Sequence, residues 1–143
     1  MVKVGDGTII HIFIFLQLLL LTSLIVVSEG SIFKRPKRHV HVMNFLDRNI
    51  NLKVHCKSTD DDLGFHDVSY GNEYEFEFYP NIFGTTLFLC NLQWQGKVQL
   101  VTVYNAKSAD FERCVDNCNW RVELHQLCTW GDDQSKKVCS PWK

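Results

Sequence analysis

The sequence predicts an all-β domain, a small antiparallel β-sandwich stabilised by disulfides. Three observations carry this. Apolar and polar residues alternate with a period of two in several short runs. The runs are separated by glycine- and proline-containing turns. Six cysteines, all placed behind an apolar leader, supply the bridges. No run after Ser31 keeps a 3.6-residue apolar period, and no repeat or low-complexity tract is visible. At 143 residues and 45% hydrophobic content the chain is large enough for one domain with a core and short for two.

The first thirty residues differ from the rest. Ile9 to Val27 are apolar apart from His11, Gln17, Thr22 and Ser23, Lys3 precedes them, and small Ser28 and Gly30 sit three and one residues before a cut at Ser31. Residues 1–30 therefore read as a secretory signal peptide. An uncleaved anchor is the competing reading, because the run approaches the roughly 20 residues that span a bilayer and basic residues Lys34 to Arg38 follow it. The complete domain and the secretory cysteine set behind it favour cleavage, an extracellular location and no stable membrane insertion of the mature chain. Residues 31–38 form a polar basic arm.

From His39 each element is signalled in turn. Val40 and Val42 alternate with His39 and His41, and Ile50, Leu52, Val54 and Cys56 alternate with Asn51, Lys53 and His55. Tyr74, Phe76 and Phe78 face one way while Glu73, Glu75 and Glu77 face the other, the separation of a half-buried strand. Phe88, Cys90, Leu92 and Trp94 share one parity, and Gln95–Gly96 turns that run into a second β-rich one, a hairpin. Cys118, Trp120, Val122 and Leu124 oppose Asn119, Arg121 and Glu123 in a last run that Cys128 closes. The domain thus spans 39–130, and residues 131–143 form a tail with an additional cysteine.

Cys56, Cys90, Cys114, Cys118, Cys128 and Cys139 are all expected in disulfides. Cys56, Cys90 and Cys118 share the apolar face of their strands and should point inward. That favours Cys56–Cys128 and Cys90–Cys118, leaving Cys114 for Cys139, out of the 15 pairings that six cysteines allow.

Composition and spacing exclude several chemistries. Removing residues 1–30 leaves 14 basic against 14 acidic side chains, so nothing recommends nucleic acid as a partner. Asp60, Asp61 and Asp62 offer oxygen ligands, but a calcium loop begun at Asp60 would have Phe65 at its sixth position and Gly71 at its twelfth, where glycine and glutamate are required. They read as a solvated turn before Gly64. His39 and His41 share a strand face, yet two ligands fall short of a zinc site, so no metal and no cofactor is expected. His55 and Cys56, adjacent on a strand, point to opposite faces and cannot form a thiolate–imidazole pair. No Gly-x-Ser-x-Gly or phosphate-binding loop occurs, no carboxylate pair is nominated, and Glu73, Glu75 and Glu77 read as a solvated stripe. No catalytic residue is assigned, and no Asn-x-Ser/Thr sequon is present.

The stretches from Val54 to Phe78 ("VHCKSTDDDLGFHDVSYGNEYEFEF"), from Asn81 to Trp94 ("NIFGTTLFLCNLQW") and from Cys114 to Trp120 ("CVDNCNW") resemble the plant self-incompatibility protein family, in order and spacing, over roughly His39 to Cys128. The resemblance implies a small, secreted, cysteine-bridged β-sandwich that is not an enzyme. The family's founding members are ligands: a pistil protein is recognised by a membrane partner on incompatible pollen, which triggers a calcium signal and growth arrest. Many homologues have no assigned role. Two features depart from the family pattern: the segment "VELHQLC" replaces a turn-like Asp-Gly, and Cys139 and the basic arm lie outside the motif.

The expected function is a secreted recognition ligand that binds a cell-surface receptor through its inter-strand loops, where a rigid sandwich leaves sequence freedom. The candidate recognition loop is Ser58–His66, with Ser58, Asp60, Asp61, Asp62, Phe65 and His66 as its surface, joined by the turn Gln95–Lys97 and the segment Lys107–Asn117. A small defence or antimicrobial protein is the alternative, though no cationic amphipathic helix supports it. A carbohydrate-binding domain or hydrolase is less supported still.

Overall fold

The computed structural model describes residues 5–29, 36–108 and 113–143, with side chains in the first stretch as far as residue 22. The expected cut before Ser31 and the arm residues Ser31–Arg35 lie outside the described residues. The chain divides into two units, Met1–Arg35 and Pro36–Lys143. The first contains helix α1, Asp6–Glu29, whose described side chains are predominantly apolar and exposed. In the second unit the described helical residues are Arg113 and a 3-10 turn, Gln134–Lys136, and no described helix is long and apolar enough to cross a membrane.

The second unit is a two-sheet sandwich. Its strands are β1 (Arg38–Phe45), β2 (Leu52–Lys57), β3 (Asp62–Val68), β4 (Glu73–Phe78), β5 (Leu87–Trp94), β6 (Lys97–Asn105), β7 (Asn117–Glu123), β8 (Gln126–Trp130) and β9 (Val138–Pro141). One sheet runs β4-β1-β7-β8-β9 and the other β3-β2-β5-β6. Every pairing is antiparallel except β1 with β7. That parallel pair joins strands distant in sequence, which local alternation does not reveal.

The alternation sorts the two faces as expected. Val40, Val42, Phe76, Cys118, Trp120 and Val122 from one sheet meet Leu52, Val54, Cys56, Phe88, Cys90, Leu92 and Trp94 from the other, all buried. Phe78, Phe88 and Tyr104 pack as an aromatic cluster with ring centroids 4.6 and 4.9 Å apart. The indole of Trp120 spans the layer and donates to the Val103 carbonyl at 2.9 Å. The β5–β6 turn has positive φ at both Gln95 (46°) and Gly96 (76°), the two-residue geometry that matches strand twist.

Three boundaries differ from the sequence reading. Arg38, placed in the basic arm, is the buried first residue of β1 and donates to the Val115 carbonyl. The run from Cys118 to Cys128 is two strands, because the chain turns at Leu124–His125 and returns antiparallel. Beyond residue 131, β9 pairs with β8 and Trp142 packs 5.3 Å from Trp94.

All six cysteines are bridged, but in a different pairing: Cys56–Cys90, Cys114–Cys118 and Cys128–Cys139. None of the expected pairs Cys56–Cys128, Cys90–Cys118 and Cys114–Cys139 forms. Parity places Cys56 and Cys90 on the inner face but says nothing of strand order. Because β2 and β5 are neighbours, Cys56 lies directly opposite Cys90, and their Cα atoms are 4.0 Å apart. The turn at Leu124–His125 reverses parity, so Cys128 sits opposite Arg121, on the outer face, beside Cys139 on β9.

Candidate functional site

Strand register decides which loops meet. Lys57 pairs with Asp62 and Leu89, Leu87 with Asn105, Arg38 with Phe78, and His39 with Asn117. Residues 58–61, 79–86, 106–108, 113–116 and 131–137 therefore emerge at one end of the sandwich. Residues 46–51, 69–72, 95–96 and 124–125 emerge at the other. Of the three segments nominated for recognition, Ser58–His66 and the described part of Lys107–Asn117 share an end, and Gln95–Lys97 lies at the opposite one. Residues 109–112 of the second segment are outside the described residues.

The Ser58–His66 segment is mostly strand. Its turn is confined to Ser58–Asp61: the Ser58 hydroxyl oxygen accepts from the N–H groups of Asp60 (3.3 Å) and Asp61 (3.1 Å), and the Ser58 N–H donates to the Asp61 carbonyl at 2.8 Å. Having closed so tightly, the chain pairs again from Asp62 onward as edge strand β3. Asp62 Oδ1 accepts from the Gly64 N–H at 2.9 Å and faces His55 Nε2 at 2.6 Å. The Gly64 N–H first and the His55 contact second hold the Asp62 carboxyl below the usual carboxylate range. Phe65 is exposed on the outer face, 4.2 Å from the His55 ring. His66 instead stacks on Tyr74 of the other sheet at 3.9 Å and donates from Nε2 to the Leu63 carbonyl at 2.7 Å. Ser58, Asp60 and Asp61 thus belong to a turn, whereas Asp62, Phe65 and His66 belong to a strand and face different ways.

The segment 79–86 beside that turn was not singled out by sequence. Asn81 organises it: its N–H donates to Thr86 Oγ1 (2.8 Å), its amide donates to Thr85 Oγ1 (2.6 Å), and its Oδ1 accepts from the Thr85 N–H (2.9 Å). The loop so fixed holds Tyr79, Ile82 and Phe83 at 64%, 70% and 80% exposure. A cleft of about 310 Å³ lies between the two loops, lined by Asp60, Asp61, Tyr79, Asn81 and Thr85 among others. The sequence signal was three large apolar residues set among the turn formers Pro80, Asn81 and Gly84, where no core face calls for them.

Asp132 ties the β6–β7 segment to the same end. Its Oδ2 accepts from the N–H groups of Val115 (2.8 Å) and Asp116 (3.0 Å), and its Oδ1 from the N–H (2.9 Å) and side-chain amide (3.0 Å) of Asn117. Desolvation pushes the Asp132 carboxyl up, but the four donors together outweigh it and hold it low. Cys114–Cys118 closes the same corner.

For chemistry of bond breaking the fold offers little. No cysteine is free, and His55 points outward to Asp62 while Cys56 is fully buried. Among the described residues, His41, Glu73 and Glu75 are the one group of three or more whose ligand atoms lie within 4.8 Å of one another. Counting histidines alone had missed the glutamates that β4 brings beside them.

A family model described as plant self-incompatibility protein S1 matches residues 39–142. The chain belongs to this family. It is similar to S-protein homolog 5 of Arabidopsis thaliana, with 40% identity over 92 residues, covering 64% of this chain and 68% of the relative. It is also similar to S-protein homolog 2 of the same plant (32% over 119 residues, 80% and 74% covered) and to self-incompatibility protein S1 of Papaver rhoeas (32% over 126 residues, 87% of each).

Membership supports a signalling or recognition role. Many of the residues in the stretches that carry the self-incompatibility resemblance are structural. Cys56, Cys90, Cys114 and Cys118 are bridge halves, and Phe88, Leu92, Trp94 and Trp120 are core. The family match also runs past Cys128 through Trp142, taking in β9 and Cys139.

Proposed function

We propose that this self-incompatibility family member is a secreted, non-enzymatic ligand that binds a cell-surface receptor through the loop end carrying Tyr79, Ile82 and Phe83. The observation behind this reading is the exposure of three large apolar side chains on a loop that Asn81 holds in one conformation. Exposed aromatic and aliphatic side chains on an ordered loop lose little entropy on binding and fill pockets in a partner. Asp60 and Asp61 across the cleft add an acidic rim that favours a partner with basic groups there. Formal neutrality of the chain after residue 30 argues against nucleic acid as the partner.

The test is saturable binding of tagged protein to plant cell surfaces. Losing a central apolar anchor costs about 2 kcal/mol or more, so Ile82→Asp with Phe83→Asp should raise Kd by at least about 30-fold. The melting temperature should hold, because neither side chain is in the core. Exchanging Gln95–Gly96 for Asn-Gly at the far end should leave binding intact. Undiminished binding by the Ile82/Phe83 variant would refute the proposal.

A further inference from the structure

We propose that the outer face of the five-stranded sheet carries a transition-metal site in which His41, Glu73 and Glu75 are the ligands and zinc is the ion that suits them. The placement follows from strand pairing. On β1 the outward residues are His39, His41 and Met43, and on β4 they are Glu77, Glu75 and Glu73, opposite them in that order. One ligand atom from each of His41, Glu73 and Glu75 falls within 4.8 Å of the other two. Glu77, the next residue of the stripe, is taken by Lys37 at 2.5 Å.

The bonding of His41 points to a cation. Its Nε2 lies 3.2 Å from Asn117 Oδ1, and its Nδ1 lies 3.3 Å from Glu73 Oε1. The Asn117 amide is not free to flip. Its nitrogen donates to Asp132 Oδ1 at 3.0 Å, and Asp132 is itself pinned by the N–H groups of Val115, Asp116 and Asn117. Asn117 Oδ1 therefore faces His41 as an acceptor, and Nε2 must supply the hydrogen. A neutral imidazole has one N–H, so Nδ1 presents a lone pair to a carboxylate oxygen. Two acceptors at that distance repel unless a positive ion joins them. A metal on Nδ1 does so, and the chain Asp132–Asn117–His41 then has the form by which metal-bound histidines are oriented, the second ring nitrogen donating to a fixed oxygen.

The donor set selects the ion. One imidazole and two carboxylates with a position left for water fit zinc, whereas calcium takes six to eight oxygens. Tetrahedral zinc with ligands about 2.0–2.2 Å away needs the ligand atoms about 3.4 Å apart. Glu73 and Glu75 are about half-exposed and can swing by the angstrom or so required. His39 Nδ1, 2.8 Å from Glu75 Oε1, steadies that carboxylate from the far side.

Calorimetric titration of the purified protein with zinc at neutral pH tests this. One ion per chain should bind. His41→Gln and Glu73→Gln, which remove a ligand from the surface and spare the core, should each abolish stoichiometric binding. Asn117→Ala should weaken it by about 10–100-fold, and His125→Gln, at the opposite end, should have no effect. X-ray absorption at the zinc edge should show nitrogen and oxygen neighbours and no sulfur. Absence of stoichiometric binding would overturn the proposal. So would binding that survives His41→Gln and Glu73→Gln, or that is lost equally in His125→Gln.

Discussion

Asn44 is the residue whose replacement should damage the sandwich most for its size. It is fully buried at an inward position of β1, between Val42 and Leu46. Its amide donates to the carbonyls of Ile50 and Val68, both at 2.8 Å, and its oxygen accepts from the Leu46 N–H at 3.0 Å. One side chain thereby ties β1 to the start of β2 and the end of β3. Asn44→Ala leaves the Val68 carbonyl and the Leu46 N–H buried without a partner, while water can reach the Ile50 carbonyl. Each buried orphan costs about 1–3 kcal/mol, so the loss should be about 2–5 kcal/mol. For a unit of this size that lowers the melting temperature by about 10 °C or more. Urea unfolding followed by tryptophan fluorescence measures the free energy, and the slope with denaturant should be unchanged. Asn44→Asp separates hydrogen bonding from volume. It keeps the size and the acceptor, but turns a carboxylate toward two carbonyls, so at neutral pH it should be worse than alanine and recover part of the loss on acidification. A loss below about 1 kcal/mol in Asn44→Ala, or an aspartate variant indifferent to pH, would refute the assignment of stability to these bonds.

Two other outcomes follow from the same structure. The bridges close sequence separations of 34, 11 and 4 residues, which in a chain-entropy picture are worth about 3.8, 2.8 and 1.9 kcal/mol. Paired alanine replacements should therefore destabilise in the order Cys56/Cys90, Cys128/Cys139, Cys114/Cys118, and an inverted order in urea unfolding would count against loop closure as the main term. The Asp132 carboxyl, held below its ordinary 3.8 by the N–H groups of residues 115–117 against desolvation, contributes stability that is fully present above that value and lost as the pH falls through the lower folded-state value. Asp132→Asn should be less stable than the parent at neutral pH, with the gap closing below about pH 4; a gap constant with pH would show that the charge is not what the donors hold.

The strands were legible because alternation is a local property. Glu73, Glu75 and Glu77 against Tyr74, Phe76 and Phe78 fixes the faces of β4 without reference to any neighbour. What alternation leaves open is which strand lies beside which. That gap accounts for the disulfide errors: Cys56 and Cys90 were read correctly as inward, yet their partnership depends on β2 and β5 being adjacent. It also accounts for the split recognition surface, since Gln95–Gly96 and Ser58–Asp61 are alike as turns and differ only in the end at which register places them. Asn44 escaped notice because parity reports burial by residue type, and a polar residue at an apolar position reads as a strand end rather than a hydrogen-bonding hub. The loop expected over Ser58–His66 shrinks to the turn Ser58–Asp61 because the Ser58 cap that closes it is a contact, not a pattern.

This division bears on how the family resemblance should be used. In the stretches that carry the resemblance, the bridge halves with Trp94 and Trp120 face inward or close a corner and so specify a scaffold, whereas Asp60, Asp61, Ile82 and Phe83 of the same stretches are exposed. Residues that a partner can touch are the ones the scaffold does not constrain: Ile82 and Phe83 add nothing to the core, and Asp60 and Asp61 only need to leave a turn. Phe83 is such a side chain: its presence costs exposure of apolar area to water and returns nothing to the fold.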